Sequence, residues 1–475
     1  MKTYIVRLLI VLMVGSLLAA GCTPVAPQPT AAPQPTAPLQ PTTPPQPTTP
    51  PQPTKTVEPV KIGVYSVAWD TSDQAMVSKL VDLFNQEHQG RIQAELIQGD
   101  WGSADTYLTA GVAGGGGIAD VIEYYTGGAA SWYDHHLVID LRPYITDDVR
   151  ATMPSELWQA RTAPDGAVFE SGTISGEPNV IYYNPALLAK AGIDPPALGS
   201  AWTWDQFLAN AKKLTVDKNG KYLGEAGFDA SHVVQWGFMP RLDADQIAGN
   251  LSDLEMQATG QPMIRRGSDG QWDVFFDDAA LPSMRTYLGV IKEGITPALS
   301  IGLTGDSQDE AFHQGLAAMV LRGFFNVPVL HDKWSDFQFS TMPLPRDPGQ
   351  NVYYMDTVGQ GYSVPVTSKH PAEAAEFVFW LQTATPQAMR ASTLFLGPVN
   401  PAAWDDPLLM DNPDWATYRS LSSISKLVPV ENNDNEDEFI TTVFNPAVLS
   451  VASGDKTLDA AIAEIKASSK TMLNK

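Results

Sequence analysis

The sequence is poor in cysteine and in basic residues. Cys22 is the only cysteine among 475 residues, so no internal disulfide can hold the fold together. Lysine and arginine total 30 against 53 aspartate and glutamate residues, which gives a formal net charge of −23. Nucleic acids and anionic lipid surfaces both attract cationic proteins. We therefore expect no nucleic-acid partner and no charge-driven contact with a membrane.

The N-terminus has the layout of an export signal. Lys2 and Arg7 precede an apolar run at 8–18 and three small residues. That run is shorter than the about 20 residues of an ordinary membrane span. The stretch Leu18-Ala19-Ala20-Gly21-Cys22 resembles the lipobox of bacterial lipoproteins. The resemblance implies a signal peptide at 1–21, lipidation of Cys22 and a position on the outer side of the cell membrane. The alternative is a plain secretory signal with a chance cysteine.

Residues 22–58 follow as a tether rich in proline, threonine and glutamine. They carry no charge before Lys55, and they cannot bury enough apolar area to offset the entropy of ordering. Proline density favours the extended polyproline II conformation, with about 3.1 Å per residue. We expect a stalk that holds the folded body away from the bilayer. A ligand for proline-binding modules and a glycosylated stalk are the alternatives.

Beyond residue 58 the sequence alternates strand and helix patterns. The spacing of apolar residues predicts strands near 60–64, 92–96 and 118–124, with helices at 71–84 and 103–113. This order implies a parallel sheet with right-handed crossovers. The alternation restarts past Gly176 with a strand at 180–183. Asn184-Pro185 then predicts a helix start, and Thr203 with Gln206 predicts a capping box.

Four stretches carry a resemblance to one family. They are Ile118-Ala119-Asp120-Val121-Ile122, 137–145, 182–215 and 359–377. The first has Ala119 where the family usually has proline. In their joint order they resemble the extracellular solute-binding proteins of ABC importers, in particular the sugar-binding family that includes the maltose-binding proteins.

The resemblance implies a fold, a function and partners. The fold is a two-lobed α/β periplasmic-binding-protein fold (type II), with a mainly parallel sheet in each lobe and a hinge between them. The first lobe would comprise 60–174 plus 358–400, and the second 175–357 plus 401–475. The implied function is capture of a small-molecule ligand, a mono- or oligosaccharide, between the lobes. The implied protein partner is an ABC permease, and we expect a monomer.

Aromatic residues stand beside acids where three predicted strands end. Sugars offer apolar C–H faces and a rim of hydroxyls, which aromatic rings and carboxylates match, and ligands of open α/β sheets lie beyond the carboxyl ends of the strands. The candidate ligand contacts are Trp69, Asp70, Trp101, Glu123 and Tyr124. Asp70 could instead cap a helix, Trp101 could be a lid or surface residue, and Tyr124 could pack within the sheet.

The resemblance places further ligand contacts later in the chain, at Trp236, Phe324, Phe325, Gly361 and Tyr362. Gly323-Phe324-Phe325 resembles a Gly-x-Trp segment of the family, with phenylalanine in place of tryptophan. Gly361 permits a close approach of backbone to ligand. Core packing remains the alternative for Trp236 and Tyr362.

No catalytic or cofactor motif is recognisable. His-Glu-x-x-His and Gly-x-Ser-x-Gly are missing from the sequence, and 454–457 lacks the ending of a P-loop. The acidic run 431–438 predicts a solvated face, and 217–221 predicts a turn rather than a metal site. We expect no catalysis, no cofactor and no metal. The alternatives are the same fold with another solute (a polyol phosphate, nucleoside or peptide) and an exported glycan-degrading enzyme.

Overall fold

The computed structural model describes residues 58–475, apart from 69–70, 177, 245, 358 and 432. The predicted signal peptide, the predicted lipidation site Cys22 and the predicted tether up to residue 57 lie outside the described residues. Within the described part, no helix combines the length and the apolar composition that crossing a bilayer requires.

Strands and helices alternate along the described chain. The strands are β1 (Val60–Val67), β2 (Ile92–Gly99), β3 (Val121–Tyr125), β4 (Asn179–Tyr183), β5 (Val216–Asp217), β6 (Val233–Gln235), β7 (Ile264–Arg266), β8 (Trp272–Val274), β9 (Met319–Gly323), β10 (Ser340–Pro343), β11 (Tyr353–Asp356), β12 (Gln360–Ser363) and β13 (Ser425–Val428). The helices are α1 (Thr71–Glu87), α2 (Ala104–Ala113), α3 (Thr126–Asp134), α4 (Asp147–Arg150), α5 (Ser155–Ala160), α6 (Pro185–Lys190), α7 (Trp204–Leu214), α8 (Ile247–Thr259), α9 (Leu281–Leu288), α10 (Gly305–His313), α11 (Asn326–Lys333), α12 (Pro371–Trp380), α13 (Ala384–Leu394), α14 (Pro407–Met410), α15 (Ala416–Ser422), α16 (Glu436–Phe439), α17 (Asn445–Ala452) and α18 (Leu458–Leu473).

Sheet one has four strands in the order β12-β3-β1-β2. β1 runs parallel to β2 and β3, and β12 returns antiparallel beside β3. Apolar side chains cover both faces, as mainly parallel sheets require. Ile62 and Val64 pack into one core, while Tyr65 and Val67, which alternate with them along β1, pack into another. This is the strand–helix–strand arrangement that the sequence predicts for the first half of the body.

Sheet two has three strands in the order β10-β4-β9, and β4 is antiparallel to both neighbours. The expected mainly parallel sheet is therefore wrong for these strands. Parallel pairing near sheet two comes from isolated bridges such as Met239 with Val320 and from the separate two-stranded ladder of β11 with β13. Periodicity locates a strand, but its direction depends on partners far away in sequence.

Both faces of sheet two are also covered. Ile181 and Tyr183 pack into one core and Val180 and Tyr182 into another. The predicted two-lobed α/β fold is confirmed. The strands of sheet one fall within 60–174 and 358–400, and those of sheet two within 175–357; the full boundaries of the lobes stay a prediction.

The predicted helix starts are present. The Asn184 side chain accepts the N–H groups of Ala186 and Leu187, at 3.0 and 3.3 Å. Thr203 Oγ1 accepts the Gln206 N–H at 3.2 Å, and Gln206 Oε1 accepts the Thr203 N–H at 2.9 Å. These contacts satisfy amides that the first helical turn leaves unpaired, so both signals are confirmed.

A buried ionic network joins the ends of β1, β3 and β12. The Glu123 carboxylate is fully buried and pairs with Arg390 of α13. It also accepts hydrogen bonds from the Ser66 hydroxyl, from the Val67 N–H at 3.2 Å and from the Tyr362 hydroxyl at 3.1 Å. One carboxylate therefore fixes three strands and a helix relative to one another.

We expect Arg390→Met to destabilise the protein by about 3–5 kcal/mol, because it leaves the Glu123 charge buried without its partner. Adding Glu123→Gln removes that charge, so the double variant should regain part of the lost stability. Urea denaturation of the two single variants and the double variant measures the coupling. If the loss of stability in the double variant equals the sum of the losses in the two single variants, the two side chains are not energetically linked.

A second buried acid, Glu255, lies beside Asp277. The Asp277 N–H lies 3.2 Å from Glu255 Oε2, and Arg265 Nη2 donates to Asp277 Oδ2 at 2.8 Å. Burial, and then a hydrogen bond between the two carboxyl side chains, raise the pKa of Glu255 to about 8, against the opposing effect of the Asp277 N–H. The same hydrogen bond lowers the pKa of Asp277. Glu255 therefore keeps its proton at neutral pH, and Asp277 carries the charge beside Arg265.

This proton makes stability depend on pH. The folded-state pKa of Glu255 is higher than the about 4.3 of an unfolded glutamate, so folding takes up a proton in the window up to about 8. The free energy of unfolding should then fall as pH rises through that window, by at most about 1.4 kcal/mol per pH unit. Glu255→Gln keeps a donor to Asp277 and should flatten this dependence.

Urea denaturation at pH 5, 6, 7 and 8 checks the expectation, with the exposed Glu156→Gln as the matched control. An unchanged pH slope in Glu255→Gln would show that Glu255 does not hold the proton.

Candidate functional site

A cleft of about 1150 Å³ opens between the cores of the two sheets. One wall contains the junction of β3 with α3 and residues 159–160 and 162–164. The other contains residues 429–431, 433–437 and 473–475. Phe169 on the first wall belongs to a core of sheet one. Trp272 and Leu473 on the second belong to a core of sheet two. A ligand in this cleft would touch both halves of the molecule.

Two adjacent tyrosines at the end of β3 have different surroundings. Successive strand side chains face opposite sides of a sheet. The Tyr124 ring is stacked 4.6 Å from Trp132 and 6.0 Å from Trp101, measured between ring centroids. Tyr125 is 40% exposed and lines the cleft. Tyr125 therefore offers a ring surface to the cleft, and Tyr124 supports it from behind at a centroid distance of 4.7 Å.

Thr126 follows on the same wall, above a buried ion pair. Arg161 Nε lies 3.3 Å from Glu170 Oε2, and both side chains are fully buried. Burial raises the pKa of Glu170 to about 8, against the opposing effect of Arg161. Arg161 also donates to the carbonyls of Leu157 and Ile174, at 3.1 and 3.2 Å. The pair therefore fixes the backbone on which this wall is built.

The second wall is an acidic segment held in place by its amides. Asn433 Nδ2 donates to the Leu473 carbonyl at 2.9 Å, and Asn433 Oδ1 accepts the Asn435 N–H at 2.9 Å. The Val430 N–H donates to Thr357 Oγ1 at 3.2 Å. The segment presents carboxylates and amides, which match ligand hydroxyl or amine donors.

Several predicted contacts cannot reach a ligand in this conformation. Glu123 and Tyr362 are 0% and 1% exposed, because they form the buried network under the strand ends. Phe324 is fully buried among Phe395, Trp415 and Tyr418. All three are buried in this structure, and for Tyr362 this is the core packing stated above as its alternative.

Gly361 is required by protein packing rather than by a ligand. A Cβ there would lie 1.6 Å from the Ser171 carbonyl oxygen and 2.6 Å from Glu170 Cγ. The close approach that its glycine permits is therefore to the neighbouring backbone.

The remaining predicted contacts do not come together in the cleft. Trp101 stacks on Tyr124 without lining the cleft. Phe325 packs beside Ile174, Leu394 and Leu396. Trp236 is partly buried and bridges to Ala317. Trp69 and Asp70 lie outside the described residues.

Sequence reasoning missed Tyr125, Thr126, Asp134 and the acids of 431–437 as lining residues. Because side chains alternate along β3, the sequence could have raised the question of which tyrosine, Tyr124 or Tyr125, is exposed to the cleft. The acidic run has no local signal that distinguishes a cleft wall from a solvated face. Among the described residues, no group of three or more His, Cys, Asp or Glu side chains is arranged to hold a metal ion.

Comparison with known proteins places the chain in a family. A profile described as bacterial extracellular solute-binding protein matches residues 68–388. An uncharacterised lipoprotein in the oleD 5′ region of Streptomyces antibioticus is 25% identical over 463 residues, which cover 96% of this chain and 90% of that protein.

Solved structures share the fold. The cyclic α-maltosyl-1,6-maltose binding protein of Arthrobacter globiformis aligns with a TM-score of 0.70 at 18% identity, over 87% of this chain and 99% of that one. The sugar-binding protein MalE of Xanthomonas citri gives 0.70 at 15% identity, over 87% and 98%. The GacH receptor of Streptomyces glaucescens gives 0.66 at 16% identity, over 88% and 99%. With the family profile spanning most of the folded body, this chain belongs to the bacterial extracellular solute-binding proteins.

Proposed function

We propose that the protein is a lipid-anchored receptor that captures a carbohydrate in the cleft and delivers it to an ABC importer. The observation that carries this proposal is the cleft itself, whose walls come from the cores of both sheets. The structural relatives named above include one described as binding cyclic α-maltosyl-1,6-maltose and one described as a sugar-binding protein.

The chemistry of the walls suits a polyhydroxylated ligand. The exposed Tyr125 ring provides a flat apolar surface for the C–H face of a sugar. Thr126, Asn433 and the carboxylates of 431–437 provide partners for hydroxyl groups. Trp69 and Asp70 stay proposed contacts on the ground of the family resemblance and of their place shortly after residues 60–67 in the sequence.

We propose capture without catalysis, by two walls that belong to different sheets. A ligand that contacts both walls binds a closed arrangement more tightly than an open one, and this differential affinity shifts the population towards the closed form. A permease that recognises the closed form would then distinguish loaded from empty receptor. We propose that the protein acts as a monomer.

Among other solutes, anionic ones fit poorly. The lining acids Asp134, Glu431, Asp434, Glu436 and Asp437 outnumber the lining cations Arg266 and Lys475. A polyol phosphate would meet repulsion from these carboxylates. The cleft chemistry therefore favours neutral or basic ligands.

We expect isothermal titration of the full chain, in a detergent without a sugar headgroup, to detect binding of at least one oligosaccharide. Tyr125→Ala should weaken it about tenfold to a hundredfold, because a buried ring contact contributes about 1.5–3 kcal/mol. Tyr222→Ala is the matched control, since Tyr222 is also 40% exposed but does not line the cleft.

Absence of binding by every sugar in a folded sample would contradict the carbohydrate proposal. Equal loss in the Tyr125 and Tyr222 variants would contradict the assigned cleft. Chromatography of the same mixtures tests the enzyme alternative, because a receptor returns its oligosaccharide intact and a glycosidase releases shorter products.

Lipid anchoring at Cys22 is tested separately. We expect Cys22→Ser to abolish incorporation of labelled fatty acid and to shift the protein from the membrane fraction after export, because no other thiol is present. The Cys22→Ser protein should still bind sugar. Retention of the fatty-acid label in the variant would overturn this proposal.

A further inference from the structure

Two segments of the described chain run from one sheet to the other. Ile174 pairs with Gln360 of β12 in sheet one, and β4 of sheet two then begins at Asn179. β11 packs into the same core of sheet two as Val180 and Tyr182, and the chain then returns to β12. When two-lobed proteins close, a few residues in connections of this kind change their backbone angles.

The two connections touch each other backbone to backbone. A Cβ on Gly176 would lie 2.4 Å from the Asp356 carbonyl oxygen, so glycine is needed for this contact. A third stretch lies beside them, because the Gly397 carbonyl accepts the Ser175 N–H at 2.9 Å and the Ser175 hydroxyl at 3.1 Å. Three stretches that are far apart in sequence therefore meet at one point.

The hydroxyl of Tyr418 lies at this point. The ring of Tyr418 belongs to a core of sheet two, where it packs beside Trp404 and Trp415. Its hydroxyl donates to the Gly176 carbonyl at 2.8 Å, and a Cβ on Gly397 would lie 2.1 Å from the hydroxyl oxygen. The residue is 1% exposed, so this hydrogen bond is shielded from water. A side chain anchored in sheet two thus holds the backbone that leads to sheet one.

The connections are also tied to the first wall of the cleft. Thr126, which lines the cleft, donates its backbone N–H to the Gly359 carbonyl at 3.0 Å. Arg161, whose neighbours in sequence line the same wall, donates to the Ile174 carbonyl at 3.2 Å. The first wall and the core of sheet two therefore hold the same connections from opposite sides.

We propose that Tyr418 is a positioning residue for ligand capture, whose hydroxyl fixes the angle between the two cleft walls by holding the connection at Gly176. Tyr418 does not line the cleft. A ligand that touches both walls binds only while the walls stand at a matching angle, so its affinity falls with the fraction of molecules in that arrangement. This inference rests on the proposed function, and it concerns what sets the geometry of the same cleft.

The experiment measures the distance between two spin labels on the full chain, without sugar. Cys22→Ser leaves no native thiol, and Asp82→Cys and Lys213→Cys then introduce one label on each half. Both positions are exposed, on α1 beside a core of sheet one and on α7 beside a core of sheet two. We expect Tyr418→Phe to broaden the distribution of distances about twofold, because the released connection samples several angles.

Tyr182→Phe is the matched control. Tyr182 is fully buried in the same core as Tyr418, and its hydroxyl donates at 3.0 Å to the carbonyl of Gly323, which also belongs to sheet two. Each variant loses one buried hydrogen bond, so urea denaturation should show similar losses of stability in the two. The distance distribution should change in Tyr418→Phe and stay as in the wild type in Tyr182→Phe.

The outcomes separate a positioning role from a merely structural one. A distribution in Tyr418→Phe as narrow as that of the wild type overturns the inference. Equal broadening in Tyr182→Phe also overturns it, because loss of any buried hydroxyl then loosens the molecule. Since the measurement contains no sugar, either result leaves the proposed function standing. Failure of every sugar to bind in the titrations above overturns the proposed function, and with it the role of Tyr418 in capture.

Discussion

The structure depends on one carboxylate that is removed from water. Glu123 sits in the middle of β3, where its charge is offset by Arg390 and by donors from β1 and β12. A buried ion is costly unless its lone pairs are satisfied, so the geometry of these partners is tightly constrained. β1 and β3 are parallel neighbours, and the loops that follow them leave the sheet from this fixed edge. The candidate site is thus assembled on a polar core that never touches the ligand.

A second buried pair extends the same principle towards the cleft. Arg161, paired with Glu170, donates to the carbonyls of Leu157 and Ile174, and Glu170 packs against Gly361 of β12. The segment 159–164 lies on the cleft wall directly beside this pair. Rigid support behind a binding wall lowers the ordering cost that a ligand would otherwise meet. In an acidic chain without disulfides, buried ion pairs and packed cores supply this rigidity.

The sequence predicts the fold well wherever the signal is local. Helix starts at Asn184 and Thr203, the strand–helix alternation of the first half and the family resemblance all depend on residues close together in the chain. The direction of β4 in sheet two does not, because its partners β9 and β10 lie more than 130 residues away. For the same reason the sequence does not predict that the acidic segment lines the cleft. Val430 and Asn433 are held there by hydrogen bonds to Thr357 and Leu473, which are distant in sequence.

The candidate site shows how well residue type alone predicts which residues line a site. Aromatic–acidic pairs at strand ends correctly direct attention to the end of β3, yet the pair chosen there is Glu123 with Tyr124. The structure buries Glu123 in an ion pair and stacks Tyr124 on Trp132. The next residue, Tyr125, faces the cleft, and its acidic neighbours come from a segment about 300 residues later. Successive residues of a strand face opposite sides of the sheet. Residue type alone therefore cannot decide which of two neighbouring residues lines a site. That choice also requires knowing which side of the sheet is packed against other elements.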